Sequence, residues 1–178
     1  MLYHHELLEG GSAMDSDDKI QKAYESILNH DFEQAIEWFE QAVKEEPDNP
    51  DHHYKLSITF ARSNKLDKAL LHARKAYGLD QNNEKFRLHL RHLLGRWHVV
   101  EAEKCFEADG KLSKAVSLLK EAIRLDPLNF EAYLLLGIAY AEMGEYKRAV
   151  KALDEALELD PHNEMAKKLI MAYNRKLH

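Results

Sequence analysis

Three histidines and the single cysteine of this chain, His89, His92, His98 and Cys105, fall close together, and these are residue types that hold zinc. Two histidines on one helix meet the same ion when they are four apart, as in H-E-x-x-H. Here His92 follows His89 by three, His98 follows by six more, and there is no C-x-x-C pair. The spacing predicts no metal, and Cys105 reads as a small core residue of a helix. Phosphate and acyl chemistry also lack their signatures, since there is neither a glycine-rich phosphate loop nor a G-x-S-x-G turn. The carboxylates stand in i, i+4 helix contexts, as at Glu121 and Glu155, and single out no acid pair. The expectation is a chain with no catalytic residue, no cofactor and no metal.

What must position these side chains is almost entirely helix. With 178 residues, 45% of them apolar, seven glycines and four prolines, the chain can bury an elongated core as one domain. One cysteine excludes an internal disulfide framework and suits a reducing compartment. Met1 to Met14 lacks the basic start and apolar run of a secretory signal, and no segment reaches the roughly 18 to 20 apolar residues of a membrane span. A cytoplasmic location with no membrane association is expected. The leader, with Leu2, Tyr3, Leu7 and Leu8 ahead of Gly10-Gly11-Ser12, reads as an expression remnant, a native tail or a short helix lying on the scaffold.

Charge is unevenly spread around the net −6. Met1 to Asn49 holds 13 acidic and 3 basic residues, Pro50 to Val100 holds 4 acidic and 10 basic, and Glu101 to His178 holds 14 acidic and 12 basic. The basic middle, with Tyr54, Phe86 and Trp97 nearby, raises nucleic acid as a partner. A pI near 6.0 and the lack of an RNA or DNA motif argue against it.

The strongest regularity is an alanine at Ala35, Ala69, Ala115 and Ala149, spaced 34, 46 and 34. Phe32, Leu66, Leu112 and Tyr146 precede these alanines by three, and Ala42, Ala76, Ala122 and Ala156 follow by seven. Pro47, Gln81, Pro127 and Pro161 close each unit, and Asn49, Asn83, Asn129 and Asn163 are placed to cap the next helix. Small residues at fixed places let antiparallel helices approach to about 8 to 10 Å. His30, Asn64, Gly110 and Gly144 stand at the reversals, where a left-handed backbone is needed.

A 34-residue helix-turn-helix period of this kind resembles the tetratricopeptide repeat. The fourth unit carries the likeness best, through Tyr133, Leu136, Gly137, Tyr140, Ala149, Leu153, Ala156 and Pro161. Earlier units depart at the Leu-Gly pair, which reads Lys22-Ala23, Leu56-Ser57 and Ala102-Glu103. The resemblance implies an all-α solenoid of helix hairpins wound as a right-handed superhelix. Its repeats would be 16–49, 50–83, 96–129 and 130–163, after a leader and linker at 1–15 and before a capping helix at 164–178. In that cap, Ala166, Leu169, Ile170, Tyr173 and Leu177 share one stripe.

The extra twelve residues, 84–95, contain no proline and predict an extension of the third repeat's first helix, from about Glu84 to Ala108, roughly 37 Å long. Phe86, Leu90, Leu93, Trp97 and Val100 form an apolar stripe on it that needs cover. The cover is the second repeat with the leader, the same helix of another molecule in a homodimer, or a different partner. A kink at Gly95 would favour the first. Lys85, Arg87, Arg91 and Arg96 beside the stripe read as a solvated face.

Because repeat arrays of this kind hold a peptide or helix against the first helices of their units, the resemblance implies a partner groove formed by Tyr24, Tyr54, Ile58, Arg62, Lys104, Leu134 and Ile138, with Ile20, Val100 and Glu142 alongside. Chaperone-binding members carry a polar carboxylate clamp where Ile20, Tyr24, Leu134 and Ile138 stand, so that role is not implied. The same four residues serve equally well as core between repeats. The expected function is a non-enzymatic scaffold for a protein or peptide partner. A chaperone resembling the class II chaperones of type III secretion and an RNA-associated factor are the alternatives.

Overall fold

The computed structural model describes residues 14–107 and 110–177, and among them it contains nine helices and no strand. They are α1 (Ser16–Leu28), α2 (Phe32–Glu45), α3 (Pro50–Arg62), α4 (Leu66–Leu79), α5 (Glu84–Phe106), α6 (Leu112–Leu125), α7 (Phe130–Glu142), α8 (Tyr146–Leu159) and α9 (Glu164–Asn174). The leader up to Ala13 lies outside the described residues. The chain divides after Leu79 into two compact units. In the first, α1 pairs with α2 and α3 with α4, and α2 also packs on α3. In the second, α5 pairs with α6 and α7 with α8, α6 packs on α7, α9 packs on α8, and α5 touches α7. No helix among the described residues is long and apolar enough to cross a membrane.

The hairpins close where the side chains are small. Ala35, Ala69, Ala115 and Ala149, and with them Ala42, Ala76, Ala122 and Ala156, are all fully buried. Each reversal uses one left-handed residue, at φ 61° for His30, 57° for Asn64, 73° for Gly110 and 77° for Gly144. Asn49, Asn83, Asn129 and Asn163 then cap α3, α5, α7 and α9, their side-chain oxygens accepting from backbone N–H groups of the first turn. Asp15 and Asp31 do the same for α1 and α2.

The departures from the Leu-Gly pair have a local explanation. At Gly137 a Cβ would lie 2.7 Å from Leu153 Cγ and 3.1 Å from the Ala149 carbonyl oxygen, so α7 and α8 touch nearly backbone to backbone. Ser57 occupies the same register in the second repeat, and its hydroxyl donates to the Ala69 carbonyl at 2.7 Å. There the crossing is held by a buried hydrogen bond in place of a bare contact.

α5 runs unbroken through Gly95, which is buried, and a Cβ there would lie 3.3 Å from Asp126 Cβ. Gly95 therefore serves close packing against the end of α6 and not a kink. The extension is fastened to α6 at its far end. Arg91 Nη2 donates to the Leu125 carbonyl at 3.1 Å, and His92 Nδ1 lies 2.8 Å from Asp126 Oδ2. Arg91 was expected on a solvated face; instead it caps the last carbonyls of α6, which leave four acceptors free and carry the negative end of the helix dipole. The C-terminal helix is shorter than its stripe implies. α9 stops at Asn174 and the chain turns through Lys176 and Leu177, which leaves Leu177 off the helix and exposed.

Overpacking at a close crossing costs about 1 to 3 kcal/mol, more than the roughly 1 kcal/mol alanine gains over glycine in a helix. Gly137→Ala is therefore expected to lower the urea midpoint of unfolding. An unchanged or higher midpoint would show that Leu153 moves aside freely.

Candidate functional site

The cluster that first invites a metal does not assemble as one. Cys105 is buried and its thiol donates to the Glu101 carbonyl at 3.4 Å, while His92 is engaged by Asp126. His89 is held down at about 4 by burial and then by the nearby His92. Among the described residues no three histidine, cysteine or carboxylate side chains converge on a common point.

The apolar stripe on α5 is largely covered. Phe86 is 1% and Leu93 0% exposed, whereas Leu90 and Trp97 are half-buried and Val100 is exposed. Phe86 and Leu93 therefore offer no surface to a second copy, and the open part of the stripe shrinks to Leu90, Trp97 and Val100. Lys85 Nζ lies 5.2 Å from the centre of the Phe86 ring.

The residues expected to meet a partner fall into two groups, one in each unit. In the first unit Tyr24 is exposed and its ring meets Phe39 of α2 edge-on, with centroids 5.8 Å apart. Tyr54 and Ile58 on α3 are half-buried, and Arg62 one turn on is exposed. Ile20, one turn before the exposed Tyr24, is buried on α1 and belongs to the core. In the second unit Leu134 and Ile138 are half-buried on α7 and Lys104 is exposed on α5. These two helices touch there, and Glu103 of α5 is raised above the usual carboxylate range by burial and then by Glu131 of α7. The first-helix face of the second unit thus pairs an apolar strip with carboxylates at its edge.

The first unit also holds a polar pair, His53 buried and His72 half-buried, that the spacing of single residues does not reveal. His53 Nε2 donates to the Pro47 carbonyl at 2.9 Å, which leaves His53 Nδ1 to accept from His72 Nδ1–H, also at 2.9 Å. The two rings stack at 5.1 Å, and Phe60 stacks on His72 at 5.6 Å. Repeat register is the signal that could have found it: His53 occupies the place of the half-buried Tyr133, and His72 the place of Ala152. Burial, with His53, Lys75 and Lys68 adding to it, holds His72 at about 4, and burial likewise lowers His53.

Comparison with known proteins places the architecture. Two tetratricopeptide repeat family models match residues 29–84 and 107–171. The crystal structure of a MamA protein is similar, with a TM-score of 0.54 and 22% identity, over 90% of this chain and 81% of that one. MamA 41-end from Desulfovibrio magneticus RS-1 is similar at a TM-score of 0.53 and 16% identity, over 91% and 90%. YrrB, described as a TPR protein with an unusual peptide-binding site, is similar at a TM-score of 0.51 and 20% identity, over 86% and 73%. No curated protein matches the chain in sequence.

The histidine pair has a pH consequence. A folded pKa of about 4 lies below the unfolded value of about 6.5, so the unfolded chain binds the extra proton first as pH falls. Stability from this site is complete above about 6.5 and is lost progressively towards about 4. The urea midpoint of the wild type is expected to fall across that window more steeply than that of His72→Leu. Parallel curves for the two proteins would refute the assignment.

Proposed function

Because the chain belongs to the tetratricopeptide repeat family, we propose that it is a protein-binding scaffold that takes an apolar or amphipathic partner segment on the first-helix faces of its repeats. One observation carries the reading: Tyr54 and Ile58 on α3, and Leu134 and Ile138 on α7, stay partly open although Leu56 and Thr59, and Leu136 and Ala139, on the same two helices are buried. Apolar side chains held open on a rigid helix lose little conformational freedom on binding, and tyrosine adds contact area with few rotors. Arg62 and Lys104 at the edges are placed to orient an approaching segment by charge, without supplying most of the affinity. The chemistry needs no reacting group, in keeping with a scaffold and not an enzyme.

This assigns the partner to the first-helix faces and leaves the stripe on α5 as mainly core, since Phe86 and Leu93 are already covered. A homodimer through that stripe would have to rest on Leu90, Trp97 and Val100, without the buried Phe86 and Leu93, a smaller cluster than the aromatic and aliphatic centre a stable interface is built around.

Affinity capture from the cells that make the protein, followed by mass spectrometry, tests the proposal when run with variants. Tyr54→Ala and Leu134→Glu, alone and combined, are expected to reduce recovery of a specific partner by about tenfold or more, while Lys168→Glu on α9 leaves it unchanged. Circular dichroism would verify that each variant is folded. Recovery unaffected by the double variant would reject these faces as the partner surface.

A further inference from the structure

A second surface lies on the other side of α7. Tyr133, Leu136 and Tyr140 recur at intervals of three and four and so form a stripe separate from that of Leu134 and Ile138. Together with Lys120 of α6 and Arg148, Lys151, Ala152 and Glu155 of α8, they line a cleft of about 400 Å³, within the size range of ligand sites.

The cleft exists because of one small residue. In repeat register Ala152 corresponds to Trp38, His72 and Leu118, so the other three repeats each carry a large side chain here. His72 shows what such a side chain does. Its ring stacks on Phe60, the counterpart of Tyr140, and bonds to His53, the counterpart of Tyr133. The methyl group of Ala152 leaves the same place between Tyr133 and Tyr140 unfilled by the chain.

The walls are cationic. Lys120 Nζ lies 5.8 Å and Arg148 Cζ 5.6 Å from the centre of the Tyr140 ring, approaching it from the two flanking helices. Arg148 is paired with Glu145 at 2.6 Å, but among the described residues neither Lys120 nor Lys151 has a carboxylate within 4.0 Å. Glu155 is the one acid of the lining, and it acts together with Glu158 on Tyr133, which burial raises first. With Arg148 paired to Glu145, Lys120 and Lys151 are, among the described residues, the lining cations left without a carboxylate within 4.0 Å, and beside an aromatic floor they favour a ligand that carries a carboxylate of its own.

We propose that this cleft binds an acidic peptide segment with an aromatic residue. The aromatic ring takes the position that His72 fills in the second repeat, and a flanking carboxylate pairs with Lys120 and Lys151. The site is separate from the first-helix faces and does not depend on them.

A fluorescein-labelled decapeptide with one tryptophan flanked by glutamates, in a glycine-serine background, is the probe, read by fluorescence anisotropy at low salt. Saturable binding by the full chain is expected, weakened about tenfold or more by Ala152→Leu, which restores the side chain found at Leu118. The same loss is expected for Lys120→Glu with Lys151→Glu, two exposed positions at which folding is not at stake. Leu134→Glu is expected to leave the probe affinity unchanged, so a failure here is distinct from a failure of the first-helix faces. Equal binding by folded Ala152→Leu, equal binding of a peptide with lysine in place of glutamate, or no saturable binding at about 1 mM protein would each overturn the proposal. Displacement of the peptide by a tighter-binding oligouridine would also overturn it, by assigning the cleft to a phosphate backbone.

Discussion

Everything in this fold follows from how closely two antiparallel helices approach within a hairpin. At Gly137 the approach is set by the Ala149 carbonyl and Leu153, and at Ser57 by the Ala69 carbonyl. The buried alanines of the second helices give the same closeness along the rest of each crossing. No hairpin of this size can hide its own apolar face, so within each unit one hairpin leans on the other, α2 on α3 and α6 on α7, and stability accumulates between neighbours. That rule leaves the chain free to vary any side chain that points away from a crossing, and function is written in those positions.

Much of the scaffold was legible in advance for this reason. Alanine spacing, the four asparagine caps and the four left-handed residues are local requirements, and a local requirement leaves its mark at a fixed place in the repeat. His30 and Asn64 adopt the conformation that their place demands even without being glycine. The unbroken α5 could be read from the absence of proline.

The surfaces were less legible because they depend on what lies opposite. Arg91 looks like any exposed cation until the end of α6 is placed beside it, and Ile20 serves equally as groove or core until its burial is seen. The stripe on α5 has coiled-coil spacing, yet Phe86 and Leu93 are buried and only its remainder is open. His53 and His72 were hidden for a different reason. Each is unremarkable alone, and only comparison of registers shows that a polar pair has replaced aromatic and aliphatic core. The same comparison, run in the other direction, exposes the missing side chain at Ala152.

The fastening of α5 to α6 bears on how the second unit opens. The two helices are consecutive in the chain and are tied at both ends, by the Ala102 and Ala115 core near the turn and by Arg91 and His92 on the last carbonyls and Asp126 at the far end. Closing a short connection costs little chain entropy, and contacts at both ends, apolar at one and hydrogen-bonded at the other, oppose fraying of either terminus. Local unfolding in this unit therefore begins at α9, which packs through α8 and buries only Ala166 fully, and reaches the α5 and α6 pair last. The twelve-residue insertion, by this measure, acts as a ratchet against stepwise unwinding from the C-terminal end.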